Sequence, residues 1–336
     1  MNVLVTGGAG FIGSHLVDQL VRQGDRVTVL DDLSTGALEN LSDTLGSGKV
    51  RFLAGSVLDG AAVDEALEGC EAVYHLAVRC VRSSLGDPRK SHDVNATGTL
   101  NLLEASRRRS IRRFVYCSSS EVYGNTSSGL LREDETPCRP VTVYGAAKLA
   151  GEAYAEAYWQ TYRLPVVVVR PFNAYGPRAH ESGELAEVVP RFIIRVLNGK
   201  PPVIFGNGEN GRDFTFVTEI ARGLLLAGRA DDLVGRRVNI AYGQMITIRE
   251  VAEAIMSACG RNDLNVTISG PRPGDVNVLA ADTRRASELL GYRPRISFNE
   301  GIHQYIAWFR ELHPDPSILL EDRVQNWDMP TAGSGS

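Results

Sequence analysis

The chain has 336 residues, 43% of them hydrophobic and 23% charged, which excludes a disordered or fibrous protein. Its 36 Lys and Arg against 40 Asp and Glu leave a formal net charge of −4, so there is no global basic field for nucleic acid or an anionic membrane. No apolar run approaches the ~20 residues of a membrane span, and neither the five cysteines nor the six histidines show metal-ligand spacing.

In chain order, the N-terminus enters a strand at once, with no charged leader and cleavage site, so no signal peptide is expected. Scattered thiols without C-x-x-C predict a reducing, cytoplasmic setting. Val/Ile/Leu-rich runs at 3–6, 27–30, 50–53, 72–76, 114–118 and 166–170 read as strands. Helical patterns at 11–22, 61–67, 91–109 and 143–162 lie between them. Near-continuous apolar strands alternating with helices predict an α/β, Rossmann-type doubly wound parallel sheet over residues 1–172. Beyond 173 the regularity weakens, with helical periodicity at 188–198, 218–228, 247–259, 283–290 and 298–312. A smaller C-terminal α/β lobe is expected from 173–211 and 243–325, with 212–242 returning to the first domain and 326–336 a disordered tail.

The first strand runs into Thr6-Gly-Gly-Ala-Gly-Phe-Ile-Gly13, placing Gly7, Gly10 and Gly13 at G-x-x-G-x-x-G spacing. Glycines there allow a tight turn and let the N–H groups of Phe11 and Ile12 approach a pyrophosphate at the helix N-terminus. A plain strand–helix turn fits the same triplet. The second strand ends at Asp31-Asp32, where a carboxylate bonds ribose hydroxyls and repels a 2′-phosphate, favouring NAD over NADP. Tyr144 and Lys148 lie one turn apart on a predicted helix and share a face. An ammonium beside a phenol lowers its pKa and makes Tyr144 a candidate base. Ser119, Ser120 and Glu121 follow the fifth strand, at the carboxyl edge where such sheets bind ligands.

Together TGGAGFIGSH, Asp31, His75-Leu76-Ala77, Asn95, SSSEVYG at 118–124, Tyr144/Lys148, RPFNAYGPR at 170–178, Arg212-Asp213-Phe214 and Arg272-Pro-Gly-Asp275 resemble the extended short-chain dehydrogenase/reductases, in their nucleotide-sugar epimerase/dehydratase branch. The resemblance covers roughly residues 1–312. It implies NAD as cofactor, held by the glycine turn, Asp31, Asp32, Ser56, Val57, Leu76, Ala77, Asn95, Tyr144 and Lys148. It implies a nucleotide-diphosphate sugar, UDP-linked for preference, as substrate. Tyr144 would take the C4 hydroxyl proton with Ser119 on the same oxygen, while hydride moves to NAD and a 4-keto sugar forms. Asn173, Arg212 and Arg272 correspond to positions that grip the diphosphate, with Asp275 beside them, and Phe205 borders the nucleobase.

Two departures from the family pattern stand out. Ser56 follows Gly55 where an aspartate is common, and the loop after His75 is basic, with Arg79, Arg82 and Ser84 expected beside the sugar. A 4-ketone leads to 4-epimerisation, to 4,6-dehydration through C5-proton loss, or, from a hexuronate, to decarboxylation. Glu121 resembles the dehydratase and decarboxylase pattern, whereas Tyr144-Gly-Ala-Ala-Lys148 is the general family form, so the outcome stays open with a lean towards C5 chemistry. A non-catalytic NAD-binding protein on the same fold commonly lacks the tyrosine or lysine, and both are present. Tyr154, Tyr158 and Tyr162 form a stripe on the 143–162 helix, and with the 91–109 helix they predict a homodimer.

Overall fold

β1 (Asn2–Thr6), β2 (Arg26–Asp31), β3 (Val50–Ala54), β4 (Ala72–His75), β5 (Arg113–Cys117) and β6 (Val166–Pro171) form one parallel sheet. The strand Arg237–Ile240 adds parallel to β6, giving the order Arg237–Ile240, β6, β5, β4, β1, β2, β3. The computed structural model describes residues 1–126, 129–271, 278–325 and 327. The strand order reverses between β1 and β4, opening a crevice beyond their carboxyl ends.

The period-two alternation of strand side chains explains why these strands are apolar throughout. Val3 and Val5 enter one core with Tyr74, Val115, Val167 and Val169, under α1 (Phe11–Arg22) and the helix Val217–Arg229. Leu4 points the other way, into a second core with Val73, Phe114, Val166 and Val168. The helices Gly98–Arg108 and Val143–Tyr162 cover that face. Both faces are buried, so the doubly wound architecture is the one the strand composition demands.

A third core belongs to the C-terminal lobe. Phe192, Ile193, Ile255, Ile306 and Phe309 come together there from the helices Val188–Leu197, Ile248–Ala258 and Phe298–Leu312. Its strands are short: Gly211–Asp213 lies between Met245–Thr247 and Val278–Leu279, and Val203–Phe205 pairs with Thr267–Ser269. The return to the first domain therefore begins at the helix Val217–Arg229, not at residue 212, because Arg212 is hydrogen-bonded into the small sheet. The expected 91–109 helix is interrupted as well. It starts at Pro88, widens into a π-turn over Asp93–Thr97 and resumes at Gly98. Asn95 sits in that turn, and its amide pairs with both backbone groups of Arg79 at 2.9 Å.

One buried ion pair links sheet and helix. The Glu152 carboxylate accepts from Arg170 Nε at 2.9 Å and Nη2 at 2.6 Å and from Ser118 Oγ at 2.5 Å. Arg170 is fully buried, and its guanidinium also lies 4.7 Å from the centre of the Tyr123 ring. Such a pair adds little net stability over an apolar isostere, but removing one partner strands a buried charge and costs about 3–5 kcal/mol.

Candidate active site

A cavity of about 450 Å³ follows the crevice from the β1–α1 turn, past the end of β5, to the strand Val203–Phe205. At its first end the chain turns sharply. Gly7 has φ +69°, and a Cβ there would lie 2.6 Å from the Ala77 nitrogen. A Cβ on Gly13 would overlap the Gly7 carbonyl, so α1 approaches β1 more closely than any side chain allows. Gly10 caps α1 without a side chain, leaving the first-turn N–H groups of Phe11, Ile12 and Gly13 for an anion, and all three residues line the cavity.

Asp31 ends β2 in the same wall, its Oδ2 accepting from Ala9 N and its Oδ1 from Leu33 N, both at 2.9 Å. Burial pushes its carboxyl above the usual range, against the pull of those two bonds. Each oxygen keeps a lone pair for a ribose hydroxyl. Asp32 is exposed and bonds Ser34 N, while Ser56, Val57, Leu76 and Ala77 complete this wall. The donors, the missing Cβ and the carboxylate fit a dinucleotide.

Above the end of β5, Ser119 caps a 3-10 turn over Ser120–Val122, its Oγ accepting from Glu121 N at 3.2 Å. Thr142 caps the helix Val143–Tyr162 through Gly145 N at 3.1 Å. That sets Tyr144 and Lys148 against the same wall, and Ser119, Ser120, Glu121, Tyr144 and Lys148 all line the cavity. The Ser119 hydroxyl lies near the Tyr144 phenol and favours its ionised form. Burial nevertheless raises its pKa well above the ordinary phenol value, with the Cys117, Glu121 and Cys80 side chains adding to the rise. The expected lowering by Lys148 is absent. The ammonium is turned to the Cys117 carbonyl at 2.8 Å and lies 5.1 Å from the centre of the Tyr116 ring.

Four further expectations need correction. Asn95 does not line the cavity; its amide bonds Arg79 and Ser91 and so holds the loop after β4. Ser84 is buried in the turn Val81–Gly86, with its hydroxyl on the Val81 carbonyl at 2.7 Å. Arg82 lines the cavity, but its guanidinium donates to the Leu185 carbonyl and joins the loop to the lobe. Trp327, expected in a disordered tail, is buried and packs edge-on against Phe205 with ring centres 4.7 Å apart. Arg79 lines the cavity, and its guanidinium makes no hydrogen bond or ion pair among the described residues.

Asn173 and Arg212 also reach the cavity. Asn173 Oδ1 is buried without a hydrogen-bond partner among the described residues, which suits a ligand contact. Arg212 donates from Nη1 to the Gly211 carbonyl at 2.9 Å, and its neighbour Asp213 accepts from Tyr242 N and Gly243 N at 3.0 and 2.9 Å. Arg272 and Asp275 lie outside the described residues. Sequence reading missed Arg191 and Arg195, both on the cavity wall; their i, i+4 spacing on one helix face was the available signal.

The model of the NAD dependent epimerase/dehydratase family matches residues 3–241. A UDP-glucose 4-epimerase from Mycolicibacterium smegmatis is 38% identical over 313 residues, covering 92% of this chain and 99% of that relative. A dTDP-glucose 4,6-dehydratase from Streptomyces niveus is 36% identical over 322 residues, 93% of each chain. The crystal structure of a dTDP-glucose 4,6-dehydratase from Streptomyces venezuelae with NAD bound superposes with a TM-score of 0.89 at 32% identity, covering 95% of this chain and all of the other.

Lys148 gives the site a measurable signature. Burial lowers its pKa from 10.5 to about 8, with Cys117 and Glu152 pulling the other way. The unfolded chain therefore holds a proton that the folded chain lacks between pH 8 and 10.5, and stability from this group rises with pH across that window. Below pH 8 the buried ammonium opposes folding in full, by on the order of 3 kcal/mol at about 1.4 kcal/mol per unit. Lys148→Met, stripped of NAD, should thus melt higher than the parent at pH 7, with the gap closing towards pH 10.5. Thermal melts of both proteins across that range test this, and a variant less stable at pH 7 contradicts it.

Proposed function

Because the chain belongs to the NAD dependent epimerase/dehydratase family, we propose that it oxidises C4 of a UDP-linked sugar and then acts at C5, by 4,6-dehydration or by decarboxylation of a hexuronate. The observation that carries this reading is Glu121, which lines the cavity with Tyr144 and whose charge opposes ionisation of the phenol. A carboxylate there is placed to take the C5 proton that a 4-ketone acidifies in a 4,6-dehydration; a hexuronate instead breaks its bond from C5 to the carboxyl carbon, releases carbon dioxide, keeps its C5 hydrogen and gains a proton at C5.

When bound, NAD supplies the hydride acceptor for C4. The chain supplies proton transfer and orientation. Tyr144 accepts the C4 hydroxyl proton, with Ser119 on the same oxygen. For that its raised pKa has to fall, which calls for positive charge in the cavity. Lys148, one turn further along the helix, has its ammonium on the Cys117 carbonyl, so the charge has to come with a bound ligand or with a turn of that ammonium towards the phenol. Asn173 and Arg212 grip the diphosphate, a planar guanidinium being suited to forked contacts with phosphate oxygens.

Ser120 favours a second reading. Elimination of a C6 hydroxyl needs an acid for the leaving group, and a serine is a poor one. Epimerisation at C4 and loss of carbon dioxide from a hexuronate need none. Arg79 favours the hexuronate among these, since the residue lines the cavity and its guanidinium makes no hydrogen bond or ion pair among the described residues.

Product mass after incubation with UDP-hexoses and UDP-hexuronates separates the outcomes: unchanged, less water, or less carbon dioxide. Tyr144→Phe should abolish turnover while leaving the fold intact. Glu121→Gln should still build up reduced-nicotinamide absorbance with substrate yet stall before products that require C5-proton removal. Unimpaired product formation by Glu121→Gln moves 4-epimerisation into first place.

Arg79→Ala should raise KM for a UDP-hexuronate by roughly tenfold or more over its effect on the matching neutral hexose, since a hydrogen bond to a charged group contributes about 1.5–3 kcal/mol. Equal effects on both substrates remove the hexuronate reading.

The reading includes a homodimer. Part of the tyrosine stripe is used within the chain: Tyr158 donates to Glu104 at 2.9 Å, and Arg107 lies over the Tyr162 ring at 5.0 Å. Tyr162, Val143 and Leu100 remain exposed on the same pair of helices. Light scattering at micromolar concentration should give twice the chain mass, and a monomer mass overturns the pairing.

A further inference from the structure

The reaction leaves one buried polar ring unused. His75 ends β4 beneath the crevice, is 1% exposed and does not line the cavity, yet both of its ring nitrogens have partners. Nδ1 lies 2.7 Å from the Thr6 hydroxyl at the end of β1, and Nε2 lies 3.0 Å from the Thr99 hydroxyl on the helix Gly98–Arg108. Each hydroxyl reaches one step further. Thr6 Oγ1 accepts from Ala77 N at 3.2 Å, and Thr99 donates to the Asn95 carbonyl at 2.7 Å.

Those outer partners fix the hydrogen on the ring. Thr99 gives its hydroxyl hydrogen to Asn95, so the hydrogen shared with Nε2 belongs to the imidazole. Nδ1 is then the acceptor, and Thr6 donates to it. The other tautomer would leave the Thr6 hydroxyl without an acceptor among the described residues. A charged ring is excluded by its surroundings: burial lowers the pKa from 6.5 to about 3, the Lys148 charge adds to the fall, and the Phe114 and Tyr116 rings against it offer no anion. The resulting chain of bonds leaves the loop after β4 at Ala77 and comes back to it at Arg79, whose N–H and carbonyl both pair with the Asn95 amide. Residues 76–80 between and beside those ties line the cavity. Ala77 is also the residue whose nitrogen a Cβ on Gly7 would strike, so this loop packs directly on the glycine turn. We propose that His75 is a positioning residue for the dinucleotide: a neutral imidazole, protonated at Nε2, that sets residues 77–79 against the glycine turn. It acts through backbone alone, whichever step follows at C5.

The test reads the ring and the cofactor separately, without turnover. In the full chain with isotope-labelled histidine, the ring whose nitrogen signals Thr99→Ser displaces should show a protonated Nε2 and a bare Nδ1. Both should stay unchanged between about pH 5 and pH 8, where an ordinary histidine titrates. Thr99→Val, which removes the acceptor, should shift the Nε2 signal much further than Thr99→Ser does. By calorimetry on NAD-free protein, His75→Gln and Thr6→Val should weaken NAD by about threefold to tenfold, the order of one net hydrogen bond. Thr6→Ser, which restores the hydroxyl, should bind NAD as the parent does. A ring protonated at Nδ1, or one that titrates in that range, overturns the assignment. Unchanged NAD affinity in both His75→Gln and Thr6→Val overturns it too. So does a loss in Thr6→Val that Thr6→Ser shares in full, because that pattern belongs to packing and not to the hydroxyl.

Discussion

The Glu152 carboxylate is the constraint on which the site depends. It lies on the helix Val143–Tyr162, one turn beyond Lys148, and is buried under it. Its partners are Arg170 from β6 and Ser118, the first residue after β5. Three segments that carry chemistry therefore meet at one charge: the helix of Tyr144 and Lys148, the Ser119–Glu121 turn, and the strand that leads to Asn173. Because neither ion can be left alone in the interior, helix and strand cannot slide relative to each other without losing the pair. The approach of Ser119 to Tyr144 follows from that register.

The two halves of the cavity recognise their ligands by different physics. The dinucleotide half is mostly backbone: glycines set by close approach, free N–H groups at a helix start, and one carboxylate already fixed by two amide donors. The substrate half is built from long cationic side chains. Arg82, Arg191 and Arg195 each donate to a backbone carbonyl while lining the cavity. Burial lowers the pKa of Arg191, with Arg82 and Arg195 adding to the effect through like charge. The Glu321 carboxylate opposes that fall, so part of the repulsion is already met within the chain.

The same contrast separates what is legible in the sequence from what is not. The sheet order, the glycine turn, Asp31 and the Tyr144/Lys148 pair are local patterns, each contained in a strand, a turn or one helical turn, and periodicity or spacing exposes them. Asn95 and Ser84 read as ligand contacts because spacing says nothing of where an amide or hydroxyl finds its partner; in the fold, backbone groups of Arg79 and Val81 claim them first. Arg82 and Arg79 look equivalent three residues apart, and only the approach of Leu185 from the lobe separates them. Trp327 is hidden by the small polar residues beyond it, since its burial depends on a helix more than a hundred residues earlier. The phenol of Tyr144 reads as acidic from its neighbour in sequence, but burial outweighs that neighbour once the ammonium finds a carbonyl.

The choice among reactions then rests on few atoms. In the proposed reaction the cofactor half and the Ser119–Tyr144–Lys148 group generate a 4-ketone whichever way it proceeds. The fate of that ketone depends on the 120–121 turn and on the loop that Asn95 holds by its backbone. Fixing that loop from behind leaves its side chains free to vary without disturbing the sheet, so Arg79 can change the charge facing the sugar at no structural penalty to Tyr144. Glu121 is constrained differently: its amide is fixed by the Ser119 hydroxyl, the same group that favours ionisation of the phenol. The residues proposed to act at C5 and at C4 thus share Ser119 as a neighbour. Removing a C5 proton is useful only after C4 has been oxidised, and in the proposed reaction that shared neighbour keeps the Glu121 carboxylate in register with the proton transfer at Tyr144.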